Sequence, residues 1–421
     1  MVLALVIFIA TYALLLVFPK IRAYIAFASA VSFVVIGTLP GQNVLPAVDW
    51  NVLMMIAGTM GTVYLFIESK MPARMADYII EKTPNVKWAI IALALFAGII
   101  SAFVDNVATV LMVAPVALTI AKKLKISPVP SIICIAISSN LQGAATLVGD
   151  TTSILLGGYA GMDFLDFFFF KGRIGMFFVV QVGAVVSALM LLLVFRKQSQ
   201  PVHLTEKTEV EDYFPSFLLL GTVVLLILAS FIPVKPATTN GIICISLMAI
   251  GIIREMIRTR DVRAFVRVVR EIDFFTLLLL GSLFVVIEGI KQAGVVDEIA
   301  KLFVTLSGNS LFLVYSLLVW ASVLLSAFID NIPYIATMLP VTSSIATQLG
   351  VDPTILYFGL LAGATLGGNL TPIGASANIT ALGILRKEGH EVATGTFMKI
   401  SVPFTLAAVL SGYILIWFIW R

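Results

Sequence analysis

The chain has 421 residues, of which 60% are hydrophobic and only 12% charged, with a formal net charge of +4; its mean hydropathy is +1.07. Soluble domains carry about 25% charged residues, so half the usual charge is missing, and the apolar runs are too many and too long for a water-soluble core. The runs are continuous rather than alternating, which excludes an outer-membrane barrel and predicts an all-α polytopic membrane protein.

Apolar segments fall at 2–18, 22–38, 50–67, 88–122, 130–160, 174–195, 216–232, 239–253, 273–289, 311–347, 355–385 and 398–420. The first has no basic residue before it and no small-residue cleavage site after it, so it reads as a retained helix rather than a signal peptide. Segments 88–122 and 311–347 are too long for one helix and too short for two spans, and each is interrupted by an acid–amide pair, Asp105-Asn106 and Asp330-Asn331. They are expected to be re-entrant hairpins. Segments 130–160 and 355–385 are broken by Gly- and Thr-rich stretches and are expected to be broken helices. The polar, proline-flanked stretch 196–215 reads as a linker between a first unit at 1–195 and a second at 216–421. Asp163 to Phe170 is expected to form an aromatic belt at the outer surface. Arg254 to Arg270 holds six arginines and reads as an interfacial helix against anionic lipid rather than a nucleic-acid site. Cys134 and Cys244 lie inside apolar runs and form neither a disulfide framework nor a metal cluster.

The two units repeat each other. Ser101-Ala102-Phe103-Val104-Asp105-Asn106 returns as Ser326-Ala327-Phe328-Ile329-Asp330-Asn331, an offset of 225. Pro115 and Pro340, Pro128 and Pro353, and Gly143-x-x-Thr146-x-Val148-Gly149 and Gly368-x-x-Thr371-x-Ile373-Gly374 keep that offset. Landmarks at one constant spacing indicate an internal duplication. With each hairpin entering and leaving on one side, each unit has five crossings, an odd number, so the second is inverted relative to the first. Alternating the loops then places 21 of the 27 Lys and Arg on one face and 6 on the other. The positive-inside rule makes the richer face cytoplasmic, with loops 68–87 and 254–272 inside, loop 290–310 outside and both termini outside.

Non-helical backbone at membrane depth survives only where it is buried in protein or lines a watery cavity, and secondary transporters build midplane sites from such breaks. The candidate ion- and substrate-binding residues therefore lie at the four breaks. At the first hairpin they are Asp105, Asn106 and Thr109, and at the second Asp330 and Asn331. At the broken helices they are Gly143, Thr146, Gly149, Asp150 and Thr151, with Thr152 and Ser153 following, and Gly368, Asn369, Thr371, Gly374, Ser376 and Asn378. A carboxylate at membrane depth costs about 2.5–3.5 kcal/mol on insertion scales, and neither tip has a Lys or Arg nearby in sequence. Such acids call for a mobile cation or a proton, and Na⁺ accepts the hard oxygens of Asp105, Asn106, Asp330 and Asn331. The alternative is a protonated carboxyl that only holds the tip together. Glu68 and Glu288, near Lys70 and Lys291, read as solvated boundary charges, and His203 and His390 as loop residues rather than proton carriers. A channel would need an unobstructed pore lined by charged rings, and an enzyme a constellation that the chain lacks.

At these residues the chain resembles the ion transporter superfamily that includes divalent anion–sodium symporters, arsenite permeases, NhaD-type antiporters and the melanosomal P protein. The Asp-Asn tips look like the arsenite permease, NhaD and P-protein branch rather than the Ser-Asn-Thr tips of the divalent anion symporters. Gly143-Ala-Ala-Thr146-Leu-Val-Gly149-Asp150 and Gly374-Ala-Ser-Ala-Asn378 are similar to that branch, although Thr151-Thr152-Ser153 stands where its members often have Pro-Pro-Asn. The resemblance implies a homodimer in the cell membrane, with a scaffold and a moving transport domain and no cofactor beyond Na⁺ or H⁺ as coupling ion. The function expected is secondary transport of a small anion or arsenite by an elevator mechanism, with a Na⁺/H⁺ antiporter as the alternative.

Overall fold

The computed structural model describes residues 1–196, 198–201 and 208–421. Its first helices, α1 (Val2–Val17) and α2 (Arg22–Val35), form an elbow of 111° at Pro19, which has no N–H with which to continue a helix. The short α3 (Val44–Ala47) leads to α4 (Trp50–Glu68), whose first turn is capped by Asp49 accepting from Val52 N at 3.0 Å. Lys70, in the left-handed region, turns the chain into α5 (Met71–Glu81). Next come α6 (Val86–Ser101), α7 (Asn106–Leu124), α8 (Val129–Gly143) and α9 (Thr151–Ala160). A two-residue ribbon of β1 (Phe169–Phe170) and β2 (Arg173–Ile174) precedes α10 (Met176–Val194).

Beyond the linker the order recurs. Helices α11 (Phe214–Ser230), α12 (Thr239–Thr259) and α13 (Arg263–Glu271) precede α14 (Phe274–Gln292), which is capped by Asp273 accepting from Thr276 N at 3.0 Å. Gly294, left-handed like Lys70, opens α15 (Val295–Leu306). Then follow α16 (Leu311–Ser326), α17 (Asn331–Leu349), α18 (Thr354–Gly367), α19 (Ser376–Lys387) and α20 (Thr394–Trp420). Six of these, α4, α7, α10, α12, α14 and α20, are long and apolar enough to cross a membrane. The protein is nearly all helical. Helix α4 packs along α12 and α14 along α2, so helices from the two parts of the chain interleave.

The helix breaks fall where the polar interruptions lie. Segments 88–122 and 311–347 divide at 102–105 and 327–330, and segments 130–160 and 355–385 divide after Gly143 and Gly367. At both tips the acid is the N-cap of the following helix: Asp105 accepts from Val107 N at 3.0 Å and Ala108 N at 3.2 Å, and Asp330 from Ile332 N at 3.1 Å. The 225-residue offset is preserved in contacts as well. Thr146 Oγ1 donates to Ala102 O, as Thr371 Oγ1 does to Ala327 O. Ser153 Oγ donates to Gly143 O at 3.0 Å, as Asn378 Nδ2 does to Gly368 O at 3.0 Å.

Three details differ from the sequence reading. Within the expected aromatic belt, Phe164 and Phe167 are buried while Phe169 is exposed, because Asp163 and Asp166 cap a short 3-10 turn that drives those two rings inward. The arginine run is two helices rather than one, broken at left-handed Arg260. The described part of the linker is docked: Gln200 O and Gln198 O accept from Val86 N and Lys87 N, satisfying first-turn donors of α6. Glu211 pairs with Lys70 at 2.5 Å and Asp212 with Arg254. His203 lies outside the described residues.

A Cβ built on Gly149 would stand 2.7 Å from Gly143 O and 2.9 Å from Ser101 O, and one on Gly374 2.6 Å from Gly368 O and 2.8 Å from Ala327 O. Gly149→Ala and Gly374→Ala should each destabilise the protein by about 1–3 kcal/mol through backbone displacement. Gly221→Ala, with open space around it, should not. Thermal unfolding of the three variants in detergent checks this ordering.

Candidate functional site

The starts of four helices converge on one cavity of about 200 Å³. Its lining includes Asn106, Val107 and Ala108 from the first turn of α7, Asn331 and Ile332 from α17, Thr151 from α9 and Ser376 from α19. The N-caps of α9 and α19, Asp150 and Ala375, make no side-chain capping bond, so the first N–H groups of those helices carry their partial positive charge toward the cavity. Asp105 and Asp150 face it too, as do Glu271 at the end of α13, Asp273 at the N-cap of α14, Tyr64 near the end of α4, and Arg22 at the start of α2.

Arg22 is the residue that sequence spacing did not reveal. Its guanidinium pairs with Asp330, 308 residues away. The expectation of two equivalent, uncompensated acids at the tips is therefore corrected. Asp330 is neutralised by a fixed cation, whereas among the described residues no Lys or Arg pairs with Asp105 or Asp150. Asp150 accepts from Thr152 Oγ1 at 2.8 Å and Asn331 Nδ2 at 3.4 Å, and its counterpart at the 225 offset is Ala375, so this acid belongs to one repeat only.

A ring of buried polar side chains underlies the tips. Asn106 Nδ2 donates to Asn140 Oδ1 at 2.9 Å. Asn140 Nδ2 donates to Thr365 O at 2.7 Å and to Asn369 Oδ1 at 3.0 Å. Thr365 and Thr152 hydroxyls lie 3.1 Å apart, and Thr152 leads back to Asp150 and Asn331. Asn140 and Thr365 are themselves related by the 225 offset, and their polarity within apolar runs was the signal that could have found them. Thr109 Oγ1 and Asn378 Oδ1 are buried without a hydrogen-bond partner, which leaves two oxygens available to a cation near the breaks.

Of the sequence-predicted residues, Asp105, Asn106, Asp150, Thr151, Asn331 and Ser376 line the cavity, and Asp330 touches it through Arg22. Gly143, Thr146, Gly149, Gly368, Asn369, Thr371, Gly374 and Asn378 do not line it. They fold the breaks behind it, through the threonine bonds to Ala102 and Ala327, the Asn369 Nδ2 bond to Ile137 O at 2.9 Å and the close glycine approaches.

A second cavity, of about 510 Å³, lies at the opposite ends of α4 and α14. The start of α4 (Asp49, Asn51) and the end of α14 (Phe284, Ile287, Glu288, Lys291) line it, whereas the end of α4 (Met60, Val63, Tyr64, Ile67) and the start of α14 line the first. The two helices thus run in opposite directions past the site.

The sequence pattern of the family described as citrate transporter, CitMHS, matches residues 12–363. The chain belongs to this family. It is therefore a membrane transporter rather than an enzyme. A 46 kDa membrane protein of Mycobacterium leprae shares 29% identity over 99% of this chain and 98% of its own length. The human P protein is 25% identical over 91% of this chain and 55% of its own, in keeping with the branch to which the Asp-Asn tips point. Among solved structures, the YdaH transporter of Alcanivorax borkumensis superposes with a TM-score of 0.59 over 91% of this chain and 86% of its own, at 15% identity. MtrF of Neisseria gonorrhoeae gives 0.59 over 92% and 83%, at 16% identity. At such identities these two share the fold alone with the family member described here.

Removing the amide that joins the first tip to the second broken helix tests the polar ring. Asn140→Ala leaves Asn106 Nδ2 and Thr365 O without partners in a buried setting and should cost about 2–3 kcal/mol of stability. Differential scanning of the purified protein would register this as a lowered Tm.

Proposed function

We propose that the protein is a Na⁺-coupled secondary transporter of a small carboxylate anion such as citrate. The observation that carries this reading is the convergence of four helix starts with Asp105 and Asp150 on one cavity. Helix N-termini, Thr151 and Ser376 offer donors to an anion, while the acids offer oxygens to a cation. The sum of charge favours coupling to a cation. Asp105, Asp150, Glu271 and Asp273 outnumber Arg22, which is already paired, so a bare polyanion is repelled and enters only with cations. Asp105, Asn106 and Asp150, which line the cavity, suit Na⁺, and protons compete for the same carboxylates. Arsenite, uncharged near neutral pH, would gain little from the helix starts.

The opposed directions of α4 and α14 and the cavities at their two ends support two inverted halves, with one cavity serving each side of the membrane. The charge count puts loops 68–87 and 254–272 inside, so the cavity at Asp105 opens to the cytoplasm. The polar ring joins the tips and broken helices into one body, which would carry the site past α2, α4, α12 and α14 in an elevator-type movement. A Na⁺/H⁺ antiporter is the second reading, favoured by the excess of acids in the cavity.

Proteoliposomes given a Na⁺ gradient and a pH gradient separately test both. Citrate uptake should follow the Na⁺ gradient, and Asp105→Asn should fold normally yet lose about tenfold or more of that uptake. Proton movement driven by Na⁺ without citrate would establish the antiporter instead.

A further inference from the structure

The ion pair between Arg22 and Asp330 has three features that a fixed structural bridge does not need. It lies at the wall of the cavity, with the two side chains 18% and 14% exposed. It is made by a single guanidinium nitrogen, Nη1, and among the described residues Nη2 and Nε of Arg22 have no hydrogen-bond partner. It also joins two separate elements, because Arg22 begins α2 beside the Pro19 elbow and Asp330 caps the hairpin helix α17. One-point pairing is the weaker form of an arginine–carboxylate contact. The guanidinium fork gains most from two parallel bonds, and a ligand carboxylate in the cavity could make both.

We propose that Arg22 is the anion-binding residue of the site and that the arriving carboxylate takes it from Asp330. This rests on the reading of the cavity as an anion–cation symport site. Arg22 alternates between two acceptors. While it holds Asp330, that carboxylate is neutralised and has no call for a cation. Once Arg22 turns to the ligand, Asp330 Oδ2 stands without its counter-charge but keeps Ser376 Oγ at 3.5 Å, and Oδ1 keeps the N–H of Ile332 at 3.1 Å. A carboxylate so placed in a poorly solvated setting binds a cation readily. Binding of the anion therefore creates a cation site that did not exist before, and loss of either partner restores the pair. The exchange conserves charge: one carboxylate replaces another on Arg22, and one monovalent cation replaces Arg22 on Asp330.

The same logic distinguishes the two hairpins. Arg22 lines the same cavity, but among the described residues no Lys or Arg pairs with Asp105, so the cation at the first tip is independent of the anion, whereas that at the second tip depends on it. Tyr12 provides an internal control. From the same elbow, its hydroxyl donates to Pro333 O at 2.7 Å and contacts Thr337 Oγ1, holding α17 without touching the ion pair.

Purified full-length protein in detergent, probed with ²²Na⁺ and with radiolabelled citrate, tests the exchange. Arg22→Gln should bind citrate about tenfold or more weakly, yet bind additional Na⁺ in the absence of citrate. Asp330→Asn should do the reverse, binding citrate more tightly without Na⁺ because the competitor for Arg22 is gone. Tyr12→Phe should leave both affinities at the wild-type value, and Arg22→Lys should recover part of the citrate affinity. Opposite signs for Arg22→Gln and Asp330→Asn in the citrate assay support the proposal. Weakening of both, or no extra Na⁺ in Arg22→Gln, overturns it and leaves the pair a structural clamp, as would a Tyr12→Phe variant that weakens citrate like Arg22→Gln. If Arg22→Gln fails to fold, Asp330→Asn decides the matter by whether citrate tightens without Na⁺. If the wild type binds Na⁺ but no citrate, the substrate class proposed above fails, while the Na⁺ count in Arg22→Gln still decides the exchange.

Discussion

A helix interrupted inside a membrane protein exposes N–H and C=O groups that lipid cannot satisfy, and each one left unpaired costs several kcal/mol. The architecture around the cavity answers that requirement four times with few devices. An acid at each tip accepts the first free N–H groups of the next helix. A threonine at each broken helix reaches the tip's carbonyl, from Thr146 to Ala102 and from Thr371 to Ala327. A glycine at each break lets the backbone come against the tip's carbonyls, where a Cβ would collide. With these groups satisfied internally, the breaks can stand side by side and turn their helix starts toward a common space.

Duplication supplied the frame, and divergence supplied the chemistry. The equivalent contacts in the two repeats concern backbone satisfaction. The differences concern charge: Asp150 faces the cavity where its counterpart is Ala375, and Arg22 serves Asp330 while no described base serves Asp105. A symmetric pair of acids would hold two equal cations. The observed arrangement has one acid paired with a base and two that no described base pairs, so the two tips differ in charge environment.

Much of this was legible in the sequence because the signals were local. An Asp-Asn pair inside an apolar run, or a Gly-x-x-Thr-x-x-Gly block, declares a helix break without knowledge of what lies opposite, and a constant offset declares the repeat. The same blocks carried the resemblance to a transporter superfamily. Arg22 was hidden for the converse reason. It stands among the basic residues of a short loop, 308 positions from its partner, and only the turn at Pro19 brings it to the cavity. Glu271 and Asp273 were likewise missed, since their inward placement depends on where α13 ends and α14 starts relative to the tips. Phe164 and Phe167 show the limit of composition: a run of aromatics reads as an interface belt until the 3-10 turn assigns two of them to the core.

The elbow at Pro19 bears on the membrane itself. Helix α1 has 16 residues and α2 has 14, which at ~1.5 Å per residue gives roughly 24 and 21 Å, short of the ~30 Å of a hydrocarbon core. A short span is met by local thinning of the bilayer, by snorkelling side chains or by association with neighbouring helices, and thinning would bring headgroup water closer to Arg22 than a full-length span allows. The transmembrane voltage drops across the remaining insulating thickness, where it is worth about 2.3 kcal/mol per charge per 100 mV. Were the bilayer thinned beside the elbow, that drop would fall across a shorter path next to the cavity, and a small displacement of a charged group there would do the electrical work that a long one does elsewhere.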